Sequence, residues 1–469
     1  MGDDASAGLR RGLVDHLRRN GYLSDARVAE AFLRTPREAF LREHAERDGL
    51  EAVYRDEAIV TRRDPETGLP LSSSSQPAIM ARMLEMLDVE PGHRVLEIGA
   101  GTGYNAALLA DLVGEEGSVT TVEIDRVVAA AARDGLLATR SAVEVVVGDG
   151  RAGVPGHGPF DRIIATASTP SVPRAWFDQL RPGGVLVVPL RLSNVLFAVQ
   201  AVVAFRKLTG VASGFDSVDV TAGGFMALRG GDGTRDGVRR GASVAASELA
   251  AGPEDRPLVE MWGPALAGMD TAARQQLVVT ALGFSRKRRL DLGRAPSWSL
   301  AAYVALALPE ERLVECVRPQ WTAAGELALG VLDAVDGSLA FLVGGSRRAR
   351  IESHGGRGAE NALLNIVDRW RQAGRPGVER LTIRLRYGPE RPHAWRSLRR
   401  GNQWLALDWR PAPPRSSNPP TSSSPAGPPS SSASSASPAS SASPSSPAAP
   451  PSSPAPPASP SSAAGAGGD

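Results

Sequence analysis

The sequence predicts an α/β protein built on a doubly wound, mainly parallel sheet, followed by a smaller α+β domain and a disordered tail. Three observations carry this reading. Short apolar segments alternate with helical ones from residue 94 onward. A glycine triplet closes the first of those segments. Past residue 410 the composition collapses to little beyond Pro, Ser, Ala and Gly.

The elements follow in order. Leu9, Leu13 and Leu17 share one helical stripe, and Val28, Ala31 and Phe32 form another before Pro36. RVLEIG (94–99) reads as a strand and NAALLADLV (105–113) as a helix. SVTTVEID (118–125), AVEVVVGDG (142–150), FDRIIATA (160–167) and GGVLVVPL (183–190) read as strands, with RVVAAAARDGLLA (126–138) as a helix among them. In such a sheet, ligands bind at the carboxyl ends of the strands. The glycine-, aspartate- and arginine-rich stretch 229–243 reads as a linker, which divides a block 1–230 from a block 244–410. In the second block WSLAAYVALAL (298–308), LALGVLDAVDGSLAFLV (327–343), RLTIRLRYG (380–388) and QWLALDW (403–409) read as strands, with Asp336-Gly337 as a hairpin turn. ENALLNIVDRWRQAG (360–374) reads as an amphipathic helix, and the basic run Arg286–Arg289 as a solvated loop. Residues 411–469 contain no Leu, Ile, Val or aromatic residue, so they cannot offset their ordering entropy and are expected to be disordered.

Composition excludes several classes. The 53 Lys+Arg nearly balance the 51 Asp+Glu, which argues against a nucleic acid partner held by charge. One cysteine, Cys316, supports neither a disulfide framework nor a cysteine-built zinc site. The six histidines show no metal-ligand spacing, so no metal is expected. No apolar run reaches the ~18–20 residues that span a bilayer, and the charged N-terminus lacks a signal core. The expectation is a cytoplasmic protein with no membrane partner.

The sharpest signal is Glu97-Ile98-Gly99-Ala100-Gly101-Thr102-Gly103-Tyr104. The glycines Gly99, Gly101 and Gly103 let the backbone turn tightly after a strand and approach a ligand. A dinucleotide fingerprint would place a third glycine where Tyr104 stands. Glu97, just before the turn, would oppose a pyrophosphate but suits a ligand that carries an ammonium and a sulfonium, as S-adenosyl-L-methionine (SAM) does. Glu123 ends the next strand, where a carboxylate can accept both ribose hydroxyls, and Asp125 lies close enough to exchange roles with it. Asp149 and Gly150 follow the third strand, where the acid can accept the adenine amino proton. The expected fold class is therefore Rossmann-like with a SAM site, and with the resemblance that follows it reads as a SAM-dependent methyltransferase.

From about Thr35 to Leu228 the chain resembles protein-L-isoaspartate O-methyltransferases. VLEIGAGTGYNAALLA, VVVGDG and FDRIIATASTPSVPRAWFDQLRPGGVLVVPL carry the resemblance, with Pro36–Phe40 and Gly224–Leu228 at its ends. Its specific part is Tyr54-Arg55-Asp56 together with Ser72-Ser73-Ser74-Ser75-Gln76-Pro77. The resemblance implies that Ser75 contacts the substrate carboxylate as the catalytic residue, and that Tyr54, Asp56 and Ser73 contribute to substrate binding. Ser73 stands where a threonine is usual, Ser74 replaces an apolar residue and Leu71 replaces a glycine. The implied activity is SAM-dependent esterification of isoaspartyl residues in a protein or peptide, leading to a succinimide and to repair. Two other readings stay open at this level. Relatives with an added C-terminal domain resemble methyltransferases of peptide-maturation systems, of the ATP-grasp or lanthipeptide type, which esterify an aspartate of a modified peptide. A SAM- or peptide-binding scaffold without catalysis is the other.

Overall fold

The computed structural model describes residues 2–65, 68, 70–193, 195, 199–210, 213–230, 243–245, 259–318, 327–344 and 348–411. Apart from their ends, the linker expected at 229–243 and the tail expected at 411–469 lie outside the described residues.

Four helices open the chain: α1 (Gly2–Arg19), α2 (Ala26–Arg34), α3 (Arg42–Asp48) and α4 (Leu50–Val53). A hairpin of β1 (Ile59–Arg63) and β2 (Pro70–Ser74) leads into α5 (Pro77–Leu87). The alternating part runs β3 (Arg94–Ile98), α6 (Tyr104–Val113), β4 (Ser118–Glu123), α7 (Arg126–Ala138), β5 (Val143–Val147), β6 (Phe160–Ala165), α8 (Arg174–Gln179) and β7 (Leu180–Arg191). β8 (Gln200–Lys207) and β9 (Gly214–Ala222) follow. The rest comprises β10 (Ser243–Ala245), β11 (Glu260–Trp262), α9 (Thr271–Leu282), β12 (Ser285–Leu290), α10 (Ser297–Ala307), β13 (Leu313–Val317), β14 (Leu327–Asp333), β15 (Ser338–Gly344), β16 (Ala349–His354), α11 (Gly358–Gln372), β17 (Leu381–Tyr387), β18 (Arg396–Arg400) and β19 (Gln403–Trp409).

The expected strands of the first block form the parallel half of a ten-stranded sheet, in the order β7-β6-β3-β4-β5. The chain leaves β3 towards β4 on one side and returns to β6 on the other. That reversal opens the crevice in which such sheets bind ligands, and the glycine turn after β3 lies at it.

The sheet does not stop where the linker was expected to end the first block. β8 and β9 continue it antiparallel from β7, and β17, β19 and β18 from the second block pair on beyond β9. The sheet is thus mixed. Strands from the two sequence blocks share it, and a break in composition between them does not mark a break in packing. The remaining strands build a seven-stranded sheet, β10-β11-β13-β14-β15-β16-β12. One apolar core joins the two sheets: Leu96, Phe160 and Trp176 cluster with Leu300 and Tyr303 of α10, Leu363 and Trp370 of α11, Leu342 of β15 and Leu405 of β19. On the other face α1, α2, α5 and α6 bury Leu17, Phe32, Leu84 and Leu108 against Val95, Ile164 and Val187.

Two local readings need correction. The run 298–308 is not a strand but the helix α10, starting after Pro296. It is apolar around most of its circumference, so no period separates helix from strand, and its alanines favour the helix. The basic run Arg286–Arg289 is not a loop; it forms most of β12, an edge strand paired with β16. Charged side chains on an edge strand discourage further strand pairing. Among the described residues, no helix is long and apolar enough to cross a membrane.

The shared sheet makes a prediction. Residues 1–230 produced alone leave the outer edge of β9 unpaired and strip α10 and α11 from the core. This fragment is expected to aggregate or to lose the cooperative thermal transition of the full chain. A sharp melt with full-length-like near-ultraviolet dichroism would count against it.

Candidate functional site

A cavity of about 1050 Å³ opens at the carboxyl ends of β3 and β4. Its floor is the glycine turn. Gly99 and Gly103 both have positive φ, 95° and 87°, a conformation that side chains rarely adopt. A Cβ on Gly99 would sit 2.6 Å from the Thr166 hydroxyl, which donates to the Gly99 carbonyl at 2.7 Å. Thr166 thereby locks the turn against the end of β6. Tyr104 starts α6 and is buried against Phe32 and Phe40, with ring centroids 6.1 and 5.6 Å away. The residue that replaces a third glycine therefore anchors the turn to the N-terminal helices.

Glu123 lies where the sequence places it. Its carboxylate accepts from the Gly101 amide at 3.2 Å and the Asp125 amide at 3.1 Å, and it lines the cavity. Asp125 instead caps α7, accepting from the amides of Val127 and Val128. It also pairs with Arg62 at 3.1 Å. Arg229 reaches the same acids, 4.0 Å from Glu123 and 3.9 Å from Asp125. Sequence reasoning missed both arginines, because Arg62 comes from the hairpin and Arg229 from beyond β9. The segment before Arg229 is pinned beside β6: the Ser168 amide donates to the Met226 carbonyl and the Leu228 amide to the Ser168 carbonyl.

Glu97 lines the cavity but does not present a free carboxylate. It is fully buried; Asn105 donates to one oxygen at 2.8 Å and the Thr121 hydroxyl to the other at 2.6 Å. Burial pushes its pKa up from 4.5 to about 7, against the two hydrogen bonds. Gly150 lines the cavity, and its carbonyl accepts from the Trp176 indole at 2.7 Å. Asp149, beside Gly150, holds Arg151: its carboxylate accepts from Nη2 at 2.7 Å and from the backbone amide at 2.9 Å.

The serine loop forms the opposite wall. Strand alternation separates its hydroxyls. Ser72 and Ser74 are buried, Ser72 accepting from Thr61 at 3.1 Å and Ser74 from Arg37 at 3.3 Å. Ser73 and Ser75 are half-buried and more open to the cavity, which all four serines line. Arg37 gives the buried hydroxyl of Ser74 its partner. Its guanidinium is fully buried and also donates to the carbonyls of Val53, Arg55, Glu57 and Ser75. A hydroxyl at position 74 gives that fork another acceptor.

Tyr54 and Asp56 do not line this cavity but stand behind the serine loop. The Tyr54 hydroxyl is buried, donates to Glu38 and accepts from the Arg37 amide at 3.2 Å. Asp56 accepts from the Ala78 amide at 2.8 Å and the Gln76 side chain at 3.1 Å, so it caps α5 from a distance. Both support the serine loop from behind.

The family described as Protein-L-isoaspartate(D-aspartate) O-methyltransferase matches residues 9–214. The isoaspartate methyltransferase of Methanopyrus kandleri is 42% identical over 186 residues, which are 39% of this chain and 76% of that relative. The chain belongs to the protein-L-isoaspartate O-methyltransferase family. A relative from Aeropyrum pernix is 41% identical over 183 residues, 38% of this chain and 65% of that protein. A solved protein-L-isoaspartate O-methyltransferase structure superposes over 85% of this chain and 99% of its own, at 25% identity and a TM-score of 0.46. The family match ends at residue 214. The cavity wall made by 223–229, Glu260 and Trp262 lies beyond it.

The state of Glu97 makes a pH prediction. Its carboxyl ionises near 4.5 in the unfolded chain and near 7 when folded. A raised carboxyl pKa contributes stability that is complete below 4.5 and is lost as pH climbs to about 7. Glu97→Gln removes this titration. Between those limits, wild-type stability is expected to fall relative to the variant by about 1.4 kcal/mol per pH unit, read from denaturant unfolding. A pH-independent difference would refute the assignment.

Proposed function

We propose that the protein transfers a methyl group from SAM to the free carboxylate of isoaspartyl residues in proteins or peptides. The observation that carries this reading is one cavity that joins the glycine turn and Glu123 to Ser73 and Ser75. The cofactor site suits SAM: the turn gives close backbone approach, and Glu123 offers a carboxylate for ribose hydroxyls. When bound, SAM supplies an electrophilic methyl group on a sulfonium.

A substrate carboxylate has a pKa near ~4 and is ionised at neutral pH, so it attacks without a general base. What the chain must supply is alignment. Ser75 donates a hydrogen bond to the carboxylate, Ser73 flanks it, and Arg37 holds the loop that carries both. The product methyl ester is then attacked by the nitrogen of the following residue. The N–C bond forms, methanol leaves with the nitrogen's proton, and a succinimide remains. Water opens the ring to a mixture that includes normal aspartate. With its one cysteine buried and free, the chain suits the reducing cytoplasm.

The direct test is labelled methyl transfer from SAM to an isoaspartyl peptide beside its aspartyl twin. Transfer is expected to the first and not to the second; transfer to neither would end this reading. Ser75→Ala is expected to keep SAM affinity and to lose about 100-fold in turnover, the scale of a misplaced reactant. Glu123→Ala is expected to do the reverse, weakening SAM binding by roughly 1.5–3 kcal/mol in calorimetry. If the serine variant turns over at the wild-type rate, Ser75 has no role in alignment.

A further inference from the structure

We infer that Glu260 and Trp262 form a subsite for a cationic side chain, lysine or arginine, of the peptide substrate. This rests on the methyl-transfer reading above and adds which peptides are preferred.

Both residues belong to β11, paired between β10 and β13 in the seven-stranded sheet. Alternation places Glu260 and Trp262 on one face of the strand and Met261 on the other. Met261 is fully buried, in a core with Val259 and Leu277. Glu260 and Trp262 are half-buried and line the same cavity as Ser75 and the glycine turn. Their place in that wall therefore follows from the strand and its register rather than from chance exposure.

The two side chains are held differently. The Trp262 indole nitrogen donates to Glu315, its cross-strand neighbour, at 2.5 Å, so the ring is fixed. Glu260 has no hydrogen-bond or ion-pair partner among the described residues. Three basic side chains also line the cavity: Arg82 pairs with Asp219 at 2.5 Å, Arg229 lies beside Glu123 and Asp125, and Arg191, at the end of β7, is buried. A carboxylate that no described residue engages, on the same strand face as a fixed aromatic ring in the wall of a cavity, matches a lysine or arginine head group, which gains both a charge partner and a π-face. An acidic side chain there meets repulsion.

The space allows it. About 1050 Å³ is at the upper limit of the ~300–1,000 Å³ common for one small ligand. A bound cofactor therefore leaves volume for peptide side chains. The cavity has two recognition ends: the serine loop takes the substrate carboxylate, and β11 takes a cation nearby in the same peptide.

The test uses the full chain and isoaspartyl peptides that differ only in Lys, Ala or Glu, placed one, two or three residues to either side of the isoaspartate. For at least one position, wild-type kcat/KM is expected to favour Lys over Ala and Ala over Glu, by roughly fivefold to tenfold per step. The preference is expected to shrink at high salt. Glu260→Gln is expected to bring the Lys-to-Ala ratio near one, and Glu260→Lys to reverse the order. Trp262→Leu is expected to reduce the Lys-to-Ala ratio only partly. Unchanged SAM affinity by calorimetry shows that each variant is folded. Equal wild-type kcat/KM for all peptides at low salt, or a wild-type order in Glu260→Lys, would overturn the subsite while leaving methyl transfer standing. A wild-type chain that binds SAM and methylates no isoaspartyl peptide would overturn both.

Discussion

The buried guanidinium of Arg37 is the constraint on which the substrate side of this molecule depends. It donates to the carbonyls of Val53, Arg55, Glu57 and Ser75 and to the Ser74 hydroxyl, and it lies over the Tyr104 ring at 5.9 Å. Burial pulls its pKa below the usual guanidinium value, with Tyr104, Tyr54 and Asp56 opposing. A desolvated charge is costly unless its donors are matched. Here the matching acceptors come from two segments that do not touch in sequence, the stretch 53–57 and the serine loop. Meeting the arginine's needs therefore fixes where that loop stands relative to α6 and the glycine turn. A lysine could not serve, because an ammonium lacks the planar fork that reaches several carbonyls at once.

The cavity is assembled from three parts of the chain with different origins. The glycine turn and Glu123 come from the parallel half of the sheet, where the crossover connections open a crevice. The serine loop comes from the hairpin and the start of α5, held by Arg37 and Asp56. The third wall comes from 223–229 and β11, which the antiparallel strands and the second sheet bring into reach. Packing α10 and α11 in the core between the two sheets ties these parts together. The segments that follow β9 thus contribute to the site rather than being appended to it.

Several residues whose chemistry was legible turned out to serve one another. Glu97 answers Asn105 and Thr121, Asp149 answers Arg151, and Asp56 caps α5. Each is an acid near a turn, and an acid near a turn has the same sequence appearance whether it faces a ligand or a backbone amide. Tyr54 is similar: its hydroxyl closes a buried network with Glu38 and Arg37. Arg37 itself stood in plain view within Pro36–Phe40, but nothing local distinguishes it from its charged neighbour Glu38; only the fold buries it.

By itself, the sequence determined the parallel strands, the glycine turn, the acid after β4, the serine loop and the hairpin at Asp336-Gly337. These are local properties: alternation of apolar residues, backbone freedom at glycine and the positions of turns. Only the tertiary structure decided that β17–β19 join the first sheet, that 297–307 is a helix, and which carboxylates face the cavity. A nearly uniform apolar run does not encode its own period, and a strand's pairing partner is chosen by burial among distant segments. The direction of a carboxylate is set by which donors the fold brings to it. Some of those donors are near in the chain, as Arg151 is for Asp149 and the Asp125 amide for Glu123, but others, such as Thr121 for Glu97 and the Gly101 amide for Glu123, come from a different element.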